Sequence, residues 1–164
     1  ALLYEMAAFS EGGLCRRKQL LHYFGERFEA EDCRKMCDNC RHPKQTFEAQ
    51  AEATLALGVV QQVGGRFPLN YLISVLRGSQ GEQIKAMGHD RIPAHGQGLA
   101  HEEKGWKSIF TQLIVHDFLI KDIQDYGVIK LSPRGEAYLA APQPIQLIKY
   151  IAPSEAAQDA AAPL

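Results

Sequence analysis

The sequence lacks several features that would place it in a simple class. It has no run of the roughly 18 apolar residues that a membrane-spanning helix needs, so we expect no membrane partner. It also has no Gly-x4-Gly-Lys-Ser/Thr loop and no acidic Walker B strand, which are the marks of ATP hydrolysis. Excess positive charge is missing too, because 18 Lys and Arg are set against 19 Asp and Glu, for a net charge of -1. A nucleic-acid-binding surface would therefore need its cations gathered on one face.

Size and composition indicate one or two small globular domains. The chain has 164 residues, of which 46% are hydrophobic and 23% charged. No secretion signal is visible, so we expect an intracellular protein whose thiols are kept reduced. The end of the chain is rich in alanine and poor in core residues, and we expect residues 141–164 to form a linker or disordered tail.

Hydrophobic periodicity predicts a mainly α fold with a small β wing. The apolar stripe of one helix recurs at helical spacing: Trp106, Ile109, Phe110, Leu113 and Ile114. Two β-rich runs, 118–123 and 128–131, follow it around a four-residue turn that contains glycine. Helices followed by such a hairpin are typical of a winged-helix domain, although other small α+β domains share this order. We place a helical subdomain at residues 1–45 and the winged-helix domain at 48–140.

All four cysteines lie in the first subdomain and suggest a metal site. Cys33, Cys37 and Cys40 follow the pattern Cys-x3-Cys-x2-Cys, and Cys15 lies upstream. Clustered thiolates on a tight turn, with one from another element, suit tetrahedral zinc. The alternatives are disulfides, which are rare in a reducing compartment, and buried thiols, which seldom cluster in polar sequence. Four thiolates leave no open coordination position, so the predicted Zn²⁺ is structural. His22 and His42 are weaker candidate ligands.

The chain resembles the zinc-binding and winged-helix (RQC) region of the RecQ helicases. The resemblance begins with a Cys15-Arg16-Arg17 helix that ends in Tyr23-Phe24-Gly25-Glu26. It continues in the cysteine turn Cys37-Asp38-Asn39-Cys40, in Leu76-Arg77-Gly78-Ser79, in Gly88-His89-Asp90 and in Trp106, and it extends to about residue 140.

The resemblance implies a place in an ATP-dependent 3′-5′ DNA helicase. ATP and Mg²⁺ would bind only in a motor domain that this chain lacks, and no catalytic residue is assigned here. The implied partners are duplex and forked DNA, during replication, recombination and repair. The x3 gap before Cys37 is closer to eukaryotic members, which favours the nucleus; a bacterial parent would work in the cytoplasm at the nucleoid.

Four residues are candidates for DNA contact. By resemblance Arg77, Ser79 and Lys107 would contact phosphate, and we expect Ser79 to cap the short helix after it. The alternative is that Arg77 and Lys107 are ordinary surface cations. Tyr126 occupies the predicted wing tip, where its ring could stack on a terminal base pair or fold back over Ile123 or Val128.

Two other functions remain open from the sequence. A winged-helix transcription regulator would read bases with the helix that carries Trp106, yet that helix offers only Gln112 as a base-reading side chain. A protein-docking module would fit the net charge. The histidines of the glycine-rich loop, His89, His95 and His101, are expected to face solvent and not to bind metal.

Overall fold

The fold comes from a computed structural model, which describes residues 2–30 and 33–151. The helices are α1 (Leu2–Glu11), α2 (Arg16–Tyr23), α3 (Asp38–Arg41), α4 (Gln50–Gln62), α5 (Leu69–Leu76), α6 (Glu82–Ala86), α7 (Glu103–Val115) and α8 (Pro133–Ala140). The strands are β1 (Thr46–Glu48), β2 (Leu119–Asp122), β3 (Val128–Leu131) and β4 (Gln146–Ile148). The expected fold class, mainly helical with a small β wing, is confirmed.

The hydrophobic core lies between α4, α5 and α7. The apolar stripe predicted for α7 faces this core, with Trp106 only 1% exposed. The indole N–H of Trp106 donates to the Gly98 carbonyl at 2.7 Å, so its one polar group is satisfied. An added Cβ at Gly98 would lie 2.9 Å from Leu76 Cβ, which explains why glycine stands at this close approach. Trp106 is therefore a core residue.

The predicted hairpin forms the wing. Strands β2 and β3 pair antiparallel, with Leu119 opposite Leu131 and Asp122 opposite Val128. Leu119 and Ile129 are buried and join the base of the wing to the core. The turn places Tyr126 and Gly127 in the left-handed region, at φ 53° and 74°. This conformation costs little at glycine and more at tyrosine.

Residues 141–151 differ from the linker that we expected. Strand β4 pairs antiparallel with β1, which puts Leu147 opposite Phe47, and Leu147 is buried. The side chain of Gln112 secures this strand from α7, donating to the Ile148 carbonyl at 3.0 Å and accepting its N–H at 2.7 Å. The winged-helix domain thus extends beyond residue 140. The rest of the predicted tail, 152–164, lies outside the described residues.

Helix α8 was not predicted, and it begins with a clear capping signal. Ser132 Oγ accepts the Gly135 N–H at 3.0 Å, and Pro133 occupies the first turn. The Ser132 hydroxyl also donates to the Phe118 carbonyl at 2.9 Å. An added Cβ at Gly135 would collide with that same carbonyl, so glycine allows α8 to pack against the start of the wing.

The first subdomain has little apolar core. Helix α2 is largely exposed, since half or more of Leu20, and of Phe24 directly after the helix, is accessible to solvent. Its buried residues are few and include Leu14, Cys15 and Cys33. A domain this small usually needs a metal or cross-links to fold, which points to the cysteines. Among the described residues, no helix is long and apolar enough to cross a membrane.

Candidate zinc centre and DNA-binding surface

The four predicted ligands come together at one point. The Sγ atoms of Cys15, Cys33, Cys37 and Cys40 all lie within 4.8 Å of one another. Cys15 stands at the N-terminus of α2, and Cys37 and Cys40 flank the first turn of α3. Two separate helices and the loop that carries Cys33 are thereby joined.

The cluster fits a zinc ion in size and chemistry. Zn–S bonds of about 2.3 Å put the sulfur atoms of a tetrahedral site about 3.8 Å apart, within the observed spread. Burial raises the pKa of the Cys40 thiol to about 12. At Cys37 burial acts in the same direction, but the backbone N–H groups of Arg16 and Cys40 outweigh it and lower the pKa to about 7. A divalent cation would stabilise all four thiolates, and a closed site of four cysteines can only support structure.

Polar side chains next to the ligands hold the site together. Arg16 makes two bonds to Asp38, Nε to Oδ1 and Nη2 to Oδ2, both at 3.0 Å. These hydrogen bonds lower the pKa of Asp38 to about 2. Asn39 Nδ2 donates to the carbonyls of Gly12 at 2.9 Å and Leu14 at 2.7 Å. The supporting roles of the Arg16–Asp38 pair and of Asn39 were not predicted from the sequence. The only signal for them was that these residues stand next to cysteines in the sequence.

Two of the predicted DNA contacts share a groove. Arg77, at the C-terminal end of α5, and Lys107, in α7, line it together with Glu102, Glu103 and Lys104. Lys107 Nζ lies 2.8 Å from Glu103 Oε1. The hydrogen bond and charge of Lys107, with a smaller contribution from Arg77, lower the pKa of Glu103. The groove therefore holds three cations and two acids.

Ser79 lies close to Arg77 along the chain but does not cap α6. The N-cap of α6 is Gly81, and no side chain caps that helix. The expected capping was therefore wrong, because the turn at Gly78 returns the Ser79 N–H to the Ser74 carbonyl at 2.9 Å. The Ser79 carbonyl is contacted by His95 Nε2 at 3.0 Å. The Ser79 residue as a whole is half-buried.

Tyr126 projects from the tip of the wing. Its side chain is 95% exposed, so the ring does not fold back over Ile123 or Val128. Ile123 beside it is also largely exposed. An aromatic face in this position is free to stack on a flat partner.

The histidines of the glycine-rich loop are not all solvent-facing. His89 is buried, with Nδ1 2.7 Å from the Tyr71 hydroxyl, and burial lowers its pKa. His101 Nε2 lies 3.2 Å from Glu52 Oε1. The expectation of exposure was wrong for His89, because the loop folds back onto Phe67 and Tyr71. Across the described part of the chain, the four cysteines alone form a potential metal cluster.

Comparisons with known proteins match both domains. Residues 1–41 match the family model "RecQ zinc-binding", and residues 43–156 match the model "RQC domain". The ATP-dependent DNA helicase RecQ of Pasteurella multocida is 31% identical over 147 residues, which cover 88% of this chain and 23% of that protein. The same-named protein of Haemophilus influenzae is 29% identical over 146 residues, with the same coverages.

Eukaryotic relatives match as well. An ATP-dependent helicase of Saccharomyces cerevisiae is 31% identical over 130 residues, covering 76% of this chain and 9% of that protein. The chain thus spans less than a quarter of the length of these relatives. The winged-helix fold, the four-cysteine centre and the two consecutive family matches agree, and the chain belongs to the RecQ helicase family, of which it carries the zinc-binding and RQC regions.

Proposed function

We propose that this region grips duplex DNA at a fork while the parent helicase separates the strands. The observation that carries the proposal is the groove in which Arg77 and Lys107, from two different helices, lie together. Cations held at a fixed spacing on a winged helix suit the phosphates of a duplex, and phosphate contacts carry no sequence information. Ser79, two residues after Arg77, would supply a hydroxyl to the same DNA strand.

The chemical step of the helicase would lie elsewhere in the parent protein. The relatives are named ATP-dependent helicases, and the chain spans only 23% of the bacterial ones. We therefore place ATP and Mg²⁺ in a motor domain outside this chain, whose own role is to bind and orient DNA. The corresponding processes are replication, recombination and repair, in the nucleus of a eukaryote or at the nucleoid of a bacterium.

The wing would act on the end of the duplex. With its ring 95% exposed, Tyr126 can stack on the terminal base pair and compete with base stacking there. A duplex with 2-aminopurine at the fork junction tests this role. We expect a fluorescence change on binding that Tyr126→Ala loses and Tyr126→Phe keeps. If Tyr126→Ala gives the same fluorescence change on binding as the wild type, the wing only guides the duplex and does not open its end.

Fluorescence anisotropy of a labelled forked duplex, titrated at several salt concentrations, tests the grip itself. We expect binding that ignores base sequence and weakens with salt. Arg77→Ala and Lys107→Ala should each lower the slope of log K against log salt by about 0.9, the value for one lost phosphate contact. Lys149→Ala removes one exposed charge that does not line the groove and is the matched control.

Other classes of function predict different results in the same experiment. A transcription regulator would bind one DNA sequence far more tightly than others. The candidate base-reading side chain, Gln112, is however buried and hydrogen-bonded to the backbone of Ile148. A protein-docking module would show no DNA binding at low salt while folded and loaded with zinc. Either result would overturn the proposal.

A further inference from the structure

A second group of cations lies where the zinc-binding region meets the winged-helix domain. Asp117, directly after α7, adopts a left-handed conformation with φ 63°. Its carboxylate is approached by two side chains of the first region: His22 Nε2 at 3.6 Å and Arg27 Nε at 3.5 Å. These contacts connect α2 and the loop after it to the end of α7.

Two more cations act on His116, the residue before Asp117. Lys18 comes from α2 and Arg134 from the first turn of α8. Burial first, and then the charges of Lys18 and Arg134, lower the pKa of His116 to about 4. His116 is therefore neutral at pH 7 and adds no charge of its own.

The cations of this group outnumber the acids. Arg27 shares the Asp117 carboxylate, whereas within residues 2–30 and 33–151 no acidic group lies within ion-pair distance of Lys18 or Arg134. Arg134 instead stacks on the Phe118 ring, with Cζ 4.7 Å from the ring centroid. Stacking fixes the guanidinium plane and leaves the N–H groups at its edge available to an anion.

We propose a second binding site for a phosphate of the DNA backbone, formed by Lys18, Arg27 and Arg134. We call these three residues the seam cluster. The site is composite, because the zinc-binding region supplies two of its cations and the winged-helix domain supplies the third. The proposal rests on the proposed function, in that DNA is taken as the source of the phosphate. It adds a contact that makes the zinc-binding region part of the DNA-binding surface.

The length of α7 separates the two sites. Lys107 and Glu103 lie in its first turns, whereas the seam cluster surrounds the residues that follow its last turn. A helix of 13 residues is about 20 Å long at about 1.5 Å per residue. At about 3.4 Å per nucleotide of one strand, the two sites would engage phosphates roughly six nucleotides apart. One duplex can therefore reach both.

The salt dependence of DNA binding tests the seam cluster. The double variant Lys18→Ala with Arg134→Ala is compared with Arg17→Ala with Lys149→Ala, which removes the same two charges from other places. Arg17 is on the same helix but lies over Phe28. We expect the first pair to lower the salt slope by about 1 to 2 for one or two lost phosphate contacts, and the control pair to leave it unchanged.

Charge-conserving variants separate binding from folding. Lys18→Arg with Arg134→Lys keeps both cations, and we expect it to retain the slope of the wild type, with unchanged zinc content and circular dichroism. If Lys18→Ala with Arg134→Ala binds DNA with the wild-type salt slope, the seam proposal is overturned. The groove proposal would still stand if Arg77→Ala lowers the slope. Equal losses in the seam and control pairs would also overturn it. Absence of binding by the wild type would overturn the proposed function and this inference together.

Discussion

Glu103 holds Lys107 in an ion pair of 2.8 Å, one turn apart on the exposed surface of α7. Arg77 lies across the groove and also acts on this carboxylate. An acid thus shares the groove with the two cations that we assign to DNA, and a phosphate that enters the groove must compete with it.

We therefore predict that Glu103→Gln binds DNA more tightly than the wild type. A like charge at about 4 Å costs about 1 kcal/mol in water, so its removal should raise affinity about two- to fivefold. The salt slope should not fall, because Lys107 keeps its phosphate contact in this variant. Anisotropy titrations measure both quantities. Glu29→Gln, an equal charge change in the first region, is the control; equal gains in the two variants would contradict the prediction.

Asn39 is predicted to stabilise the zinc-binding region. Asn39→Ala removes the side-chain donor to the Gly12 carbonyl and one of two donors to the Leu14 carbonyl, which Gln19 Nε2 also contacts at 3.1 Å. The loss should lower the free energy of unfolding by about 1–3 kcal/mol. Zinc should also be released faster to a coloured chelator, since the α1–α2 turn would be less firmly attached to α3. Asn70→Ala, at an exposed position of α5, should change neither stability nor release. If Asn39→Ala releases zinc at the wild-type rate, the cysteines alone hold this turn.

Zinc removal is predicted to unfold the first region and spare the second. The buried cluster that forms the main hydrophobic core runs from Ala49 to Leu147 and includes no residue of α1, α2 or α3. A chelator should therefore reduce the far-ultraviolet helix signal but leave the emission of Trp106 unchanged. Trp106 is the only tryptophan in the sequence, so it reports on the winged-helix core alone. A red shift of its emission on chelation would mean that the two regions fold as one unit.

Two glycines are predicted to respond oppositely to alanine. At Gly98 the new Cβ would lie 2.9 Å from Leu76 Cβ and 3.0 Å from the Trp106 ring, so Gly98→Ala should lower the free energy of unfolding by about 1–3 kcal/mol. Gly58, within α4, has only the end of Gln62 near, at 3.8 Å. Gly58→Ala should therefore raise the free energy of unfolding by about 0.5–1 kcal/mol. Denaturant melts followed by Trp106 emission measure both, and equal stability of the two variants would contradict the close packing at Gly98.

Some features could be predicted because their signals are local. The stripe around Trp106 and the hairpin around Gly127 each involve residues that are close in sequence, and helical or strand geometry alone brings their side chains together. The cysteine ligands could be predicted from residue type and spacing. Strand β4 could not be predicted in this way. It is three residues long, and its partner β1 lies about a hundred positions earlier, so no periodicity in either segment reveals the pair.

The sequence by itself determined the four zinc ligands, the winged-helix class and the family, because these depend on residue type and spacing. Tertiary structure decided which polar groups are available to function. It buried Gln112 against Ile148, exposed Tyr126 and put Glu103 in one groove with Arg77 and Lys107. It also brought His22 and Arg27 of the first region to Asp117, which follows α7. The physical reason is that burial and electrostatic pairing depend on distance in space, which only the packing of one region against the other establishes.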